Sequence, residues 1–229
     1  YEALVADDWP EFAQAGKEAI TVRHVLSHQS GRYHNRQMVD RAERMLDWDY
    51  MIEAIEQTEP AHEPGTRTGY HGLTFGYLVG EILQRVTGKP FSALVQKEIA
   101  RPLKLDGLYI GAPDKVLPRA AQLIFPDSTR RLAQTRLGSH LEVGASGLSK
   151  MMQRMGWDSD LASIFDALAP RGISDFDFGS PQSLKVPIPA ANGLFTARSL
   201  AQMYALLANG GEQDGVRLLS ADALYDATT

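Results

Sequence analysis

Histidines and serines at characteristic spacings are the first features of this chain that suggest chemistry. His24 and His28 stand four residues apart, so one helix face could present two imidazoles to a metal ion. Val25 occupies the position where an H-E-x-x-H motif has its glutamate, and no third ligand is evident, which favours packing or helix capping. Ser30 lacks the G-x-S-x-G turn of a nucleophilic serine and is interpreted as a turn residue. The sequence therefore predicts no metal site.

The composition excludes several further classes of protein. The chain has 229 residues, of which 44% are hydrophobic, so it can bury a core, and it has no cysteine. Disulfides, thiolate catalysis and cysteine-bound zinc are therefore excluded. A formal net charge of -5 without long runs of like charge argues against nucleic-acid binding, and no apolar stretch is long enough to cross a bilayer. The oligomeric state and the compartment stay open, with a cytoplasmic location as the favoured alternative.

Helical periodicity dominates the chain. Apolar residues recur at three- and four-residue steps in six stretches, each bounded by capping residues, glycine or proline. The predicted helices begin after Thr21, after Asp47, at Leu73, at Phe91, near Asp158 and after Thr196, and they end near Gly31, Pro60, Gly88, Ala100, Pro170 and Asn209. A short strand is predicted over residues 108–110, and residues 113–136 are predicted to be mostly loop.

Three segments of this chain resemble motifs of one enzyme family. Residues 20–31, ITVRHVLSHQSG, are similar to a helix and turn with the pattern H-L-L-x-H-x-S-G. Residues 64–81, PGTRTGYHGLTFGYLVGE, contain the position of the family tyrosine, and residues 191–198, ANGLFTAR, precede a helix. In this order, with Arg101-Pro102-Leu103 between them, they resemble the β-lactamase-related serine hydrolases, which share the class C β-lactamase and D-alanyl-D-alanine peptidase fold. Their carboxylesterase branch is the most similar.

The resemblance implies an α+β fold, in which an antiparallel sheet flanked by helices joins an all-helical lobe and the active site lies between them. This chain would supply mainly the helical lobe. The implied activity is hydrolysis of small-molecule carboxylic esters through an acyl-serine, with the serine in an S-x-x-K motif and no metal or organic cofactor. Tyr70 matches the family tyrosine that serves as a base or proton relay. Because free tyrosine has a pKa near 10, this role needs neighbouring cations.

The nucleophile motif S-x-x-K is absent from this chain. Ser146 and Lys150 are one residue too far apart, and Ser183 and Lys185 are one residue too close. The K-T-G or H-x-G strand motif of the family is absent as well. We therefore expect residues 1–229 to be part of one β-lactamase-like domain, with the serine before residue 1, the last strands after residue 229, and no activity in these residues alone. The alternative is a natural relative that has lost its nucleophile and binds without turnover.

The motif around Tyr70 departs from that of the β-lactamases. Those enzymes have Y-x-N, whereas this chain has Tyr70-His71-Gly72 and lacks the amide that helps to hold a β-lactam. An unpaired buried polar group costs about 1–3 kcal/mol, so the departure favours esters over β-lactams or D-amino-acid peptides, which are the alternative substrates. His71 either tunes the site or lines a pocket together with Gly72. Asn192 is interpreted as a turn residue in preference to a substrate contact.

Overall fold

Helices make up most of the regular structure in the computed structural model, which describes residues 1–31, 38–124, 170–173 and 175–228. The helices are α1 (Val5–Asp8), α2 (Val22–Leu26), α3 (Trp48–Gln57), α4 (Gly72–Thr87), α5 (Phe91–Leu94, continued by π-helical turns over Val95–Ala100), α6 (Pro181–Lys185), α7 (Ala197–Ala208) and α8 (Ala221–Thr228). Short 3₁₀ helices cover Pro10–Ala13, Ala42–Leu46 and Leu117–Arg119. Two antiparallel pairs are formed by β1 (Leu108–Tyr109) with β2 (Leu194–Phe195) and by β3 (Glu212–Gln213) with β4 (Val216–Arg217).

The three capping residues named from the sequence all start helices. Thr21, Asp47 and Thr196 each accept a hydrogen bond from the backbone N–H three residues later, at 3.1–3.2 Å. His24 completes a capping box at α2, because its Nδ1 accepts a bond from the N–H of Thr21 at 3.3 Å. Side-chain oxygens at these positions satisfy N–H groups that have no partner within the helix, which is why the starts of α2, α3 and α7 are predictable.

Helix α2 is shorter than the sequence predicts. It ends at Leu26, well before Gly31, because the chain turns at His28, whose φ is +57°. A left-handed residue cannot continue a right-handed helix. The turn brings His28 against the start of α4, where the candidate site lies.

Helix α4 makes its closest contacts with other elements at two glycines. Of the apolar residues that recur at helical spacing along it, Phe75, Val79 and Ile82 are partly buried, and Val79 and Ile82 pack against the hydrophobic core, while Val86 is exposed. The closest approaches to the helix backbone are at Gly76 and Gly80. A Cβ atom at Gly76 would lie 2.7 Å from the backbone nitrogen of Ala190, and one at Gly80 would lie 2.6 Å from the Trp48 ring. Because these two positions have no side chain, Ala190 and the Trp48 ring can approach the helix backbone.

Polar contacts attach the second half of α4 to the elements around it. Trp48 Nε1 donates to the Glu81 carboxylate at 2.8 Å, and Arg85 Nε donates to its other oxygen at 2.8 Å. Arg85 also reaches Glu11 at 2.6 Å, and its guanidinium lies over the Trp9 ring. Charged groups near the interior are stable where such partners satisfy them. These contacts fix the position of α4, which begins two residues after Tyr70.

Two hydrophobic clusters support this arrangement. The larger one packs the N-terminal segment against α3 and α4, and its fully buried members include Trp9, Phe12, Ile20, Met45, Ile55, Tyr77 and Leu78. The smaller one joins α5 to β1 and contains Phe91, Val95, Ala100, Leu105 and Leu108. Trp48 packs against both clusters. The helical region is therefore held together by continuous apolar packing.

The remaining predictions have mixed outcomes. The helix at 91–100 is confirmed, although its second half is π-helical, and the strand at 108–110 is confirmed as β1. Helix α7 ends at Ala208 and is followed by Gly210 and Gly211 with positive φ, as predicted. The helix predicted after residue 158 lies outside the described residues. Within the described ranges, no helix is both long enough and apolar enough to span a membrane.

Candidate functional site

Tyr70 lies on the surface, at the end of the loop that leads into α4. Its side chain is exposed, at 61% of the accessible area of a free tyrosine. The ring centroid lies 4.8 Å from that of His28, and the N–H of the preceding residue, Gly69, donates to the carbonyl of His28 at 2.8 Å. Tyr70 is therefore held in a defined place while its phenol stays open to another group.

The phenol of Tyr70 folds over the backbone of Gly72. A Cβ atom built at Gly72 would lie 2.9 Å from the phenolic oxygen and 3.1 Å from the ring carbon that carries it. A distance under 3.0 Å is essentially never seen for a real Cβ atom, so a side chain at position 72 and this position of the hydroxyl exclude each other. Gly72 thus shapes the site by leaving room for Tyr70.

His71, the residue after Tyr70, is fully buried, and two hydroxyl groups lie close to its ring. Thr74 Oγ1 donates to the carbonyl of His71 at 3.2 Å and lies 2.9 Å from the ring nitrogen Nδ1. The other ring nitrogen, Nε2, lies 3.4 Å from Ser30 Oγ. Because it is buried, the His71 ring does not face solvent.

Burial, helped by the nearby His28, lowers the pKa of His71 to about 3 from its ordinary value of 6.5. Between about pH 3 and 6.5 the unfolded chain binds a proton at this residue and the folded chain does not. The stability that this difference provides is complete above pH 6.5 and is lost as the pH falls. Between pH 7 and pH 5, urea unfolding of the wild-type protein should therefore lose about 2 kcal/mol more than that of His71→Gln. Equal losses would contradict a buried neutral His71.

His24 and Ser30 have structural contacts. His24 caps α2, and its Nε2 would lie 3.0 Å from a Cβ at Gly65, so its ring packs against the loop before Tyr70. Ser30 is fully buried beside His71, consistent with its interpretation as a turn residue. In the described part of the chain, no group of three or more histidine, aspartate or glutamate side chains is arranged to hold a metal ion.

Asn192 organises a loop beside α4. It is buried, its Nδ2 donates to the carbonyls of Ser183 and Val186 at 2.6 and 2.5 Å, and its Oδ1 accepts from the N–H of Ile188 at 2.9 Å. With its amide used in this way, Asn192 is a turn residue, as the sequence predicts, and not a substrate contact. The loop that it closes includes Ala190, which packs on Gly76 of α4.

The chain matches the family model described as Beta-lactamase over residues 1–228. The chain belongs to the Beta-lactamase family.

The 3₁₀ helix at Ala42–Leu46 and the start of α3 border an open depression of about 500 Å³, lined by Arg41, Glu43, Arg44, Leu46, Asp47, Trp48, Asp49 and Gln182. That lining carries charges of both signs and does not include Tyr70. In this Beta-lactamase family chain, Tyr70 thus lies outside that depression, on an open surface.

Individual relatives in the Beta-lactamase family are similar to the whole of this chain. It is 36% identical to the esterase/beta-lactamase LipL of Mycobacterium tuberculosis over all 229 residues, which are 49% of that protein. A family VIII carboxylesterase structure is 30% identical with a TM-score of 0.74, covering 98% of this chain and 53% of that one. A penicillin-binding protein homologue from Caulobacter crescentus is 31% identical with a TM-score of 0.70, covering 100% and 54%. The fold is thus β-lactamase-like, and the chain spans about half the length of LipL.

Two features of the site were not foreseen from the sequence. The contact between the phenol and Gly72 depends on the rotamer of Tyr70, and the tilted contact of the His28 ring with the Tyr70 ring depends on a left-handed residue within a turn. Histidine is not a residue that signals positive φ as glycine does. The motif H-x-S-G includes His28, but nothing in the motif indicates that this residue contacts Tyr70.

Proposed function

We propose that the protein is a serine hydrolase that cleaves small-molecule carboxylic esters through an acyl-serine, with Tyr70 as the proton-transfer group. The observation that carries the proposal is the exposed phenol of Tyr70, held at the start of α4 in a chain of the Beta-lactamase family. The nucleophile is a serine of an S-x-x-K motif outside residues 1–229, and its lysine supplies the cation that a tyrosine base requires.

The reaction has two acyl-transfer steps. The serine oxygen attacks the ester carbonyl while its proton passes to the phenolate of Tyr70, and the tetrahedral intermediate collapses with release of the alcohol, which takes that proton. A water molecule then attacks the acyl-serine, losing a proton to Tyr70, and the carboxylic acid leaves as the serine regains its proton. Each step forms one C–O bond and breaks another, so no redox partner is needed.

The substrate class is argued from position 72 and from the relatives. Gly72 offers no side-chain amide to hold the acyl amide of a β-lactam, whereas a simple ester presents no such group. One relative is named as an esterase/beta-lactamase and another as a family VIII carboxylesterase. Ester hydrolysis is therefore the main proposal. β-Lactam hydrolysis is the second candidate, which the name of the first relative favours.

Labelling with a fluorophosphonate probe tests where the nucleophile lies. In the full-length gene product we expect one serine to be phosphonylated, and peptide mass spectrometry should find it in an S-x-x-K motif outside residues 1–229. A polypeptide of residues 1–229 alone should stay unlabelled. A modified serine within residues 1–229 would contradict the proposed nucleophile. Absence of any label in the full-length protein would favour a relative that binds without turnover.

A further inference from the structure

The ring of His28 packs against the ring of Tyr70 and against two other rings. Its ring centroid lies 4.8 Å from that of Tyr70, 5.1 Å from His71 and 4.6 Å from Phe75. Ring distances in this range are those of favourable aromatic contacts. Within the described part of the chain, His28 Nδ1 is buried without a hydrogen-bond partner, so packing and not hydrogen bonding holds that edge of the ring.

The backbone of His28 also holds the loop that leads to Tyr70. Its carbonyl accepts a bond from Gly69 N–H at 2.8 Å, and the carbonyl of Gln29 accepts one from Gly65 N–H at 2.9 Å. His28 has a φ of +57°, a conformation that glycine or asparagine adopts with less strain. The turn therefore has a histidine at a position where the backbone conformation alone would favour glycine or asparagine.

We propose that His28 is a positioning residue, whose ring fixes the plane of the Tyr70 phenol on the side opposite to solvent. The inference rests on the proposed function, because it assigns His28 a role through Tyr70. Burial lowers the pKa of His28 below its ordinary value, so near neutral pH the ring is an uncharged surface. His28 thus supports Tyr70 by contact and does not supply the cation that the phenolate needs.

Two substitutions at position 28 separate the ring from the backbone. Asparagine tolerates positive φ and removes the ring, whereas phenylalanine keeps a ring and is strained at this φ. In the full-length enzyme acting on p-nitrophenyl butyrate, we expect His28→Asn to lower kcat at least tenfold with KM nearly unchanged, and its Tm should fall less than that of His28→Phe because relief of the backbone strain offsets part of the lost ring packing. We expect His28→Phe to keep kcat within about threefold of wild type while Tm falls.

A purely structural His28 would give the opposite order, with activity following Tm and the asparagine variant more active than the phenylalanine variant. That result would overturn the proposal. Phe75→Leu is the matched control, because Phe75 contacts the same imidazole from another side, and its kcat should stay within threefold of wild type. An equal loss in Phe75→Leu would assign the effect to loosening of the whole cluster and would also overturn it. If Tyr70→Phe is fully active, the proposed function fails instead.

Discussion

Replacing Tyr70 by phenylalanine should lower kcat for p-nitrophenyl butyrate by about 10²–10⁴-fold in the full-length enzyme, the contribution typical of a positioned acid–base group. The variant loses one oxygen and keeps the ring that packs against His28. Because the side chain is exposed, loss of the hydroxyl should leave Tm nearly unchanged. Acylation and deacylation should both slow, since the phenol carries a proton in each step.

The matched control for this variant is Tyr204→Phe. Tyr204 lies on α7 and is 60% exposed, almost the same as Tyr70, and it also loses only a hydroxyl. Its kcat and KM should equal those of wild type. Full ester turnover by Tyr70→Phe would remove Tyr70 from the mechanism, whatever the behaviour of Tyr204→Phe.

Gly72→Asn should abolish most ester hydrolysis without creating a β-lactamase. The substitution restores the family pattern Y-x-N, yet its Cβ would lie 2.9 Å from the phenolic oxygen. The exposed phenol can rotate away at little cost to folding, but a reacting group displaced by about 1 Å can lose about 10²-fold in rate. We therefore expect kcat for p-nitrophenyl butyrate to fall about 10²-fold with Tm nearly unchanged, and no turnover of a chromogenic cephalosporin.

Alanine substitutions in the same helix provide the controls. Gly72→Ala adds the same Cβ without an amide and should lose a similar amount of activity. Gly80→Ala adds a Cβ that would lie 2.6 Å from the buried Trp48 ring, so it should lower stability by about 1–3 kcal/mol and spare kcat in the folded enzyme. A Gly72→Asn enzyme that keeps wild-type esterase activity, or that hydrolyses the cephalosporin, would show that position 72 does not fix Tyr70.

Local signals in the sequence were enough to place most helix starts and the candidate tyrosine. Thr21, Asp47 and Thr196 cap helices because the partner of each cap lies only three residues away. Tyr70 was named through a motif and lies exposed at the end of the loop before α4, while its role in proton transfer stays a prediction. Features that depend on neighbours close in sequence were thus predictable.

Features that depend on residues distant in the sequence were not predictable. The closest contacts of α4 are made by Trp48 and Ala190, which approach Gly80 and Gly76 from other parts of the chain. Apolar periodicity gives weight to large side chains and none to glycine, so it does not reveal these close contacts. The early end of α2 has a similar cause, because the left-handed turn at His28 is fixed by its contacts with the loop before Tyr70.

The central claim is that the Tyr70 phenol meets a reactive serine from another part of the polypeptide, and a crystal structure of the fluorophosphonate-labelled full-length protein tests it most directly. We expect the phenolic oxygen within about 2.6–3.2 Å of the oxygen of the modified serine, or joined to it through one water molecule. A modified serine beyond the reach of Tyr70, with another side chain in contact with its oxygen, would contradict the account.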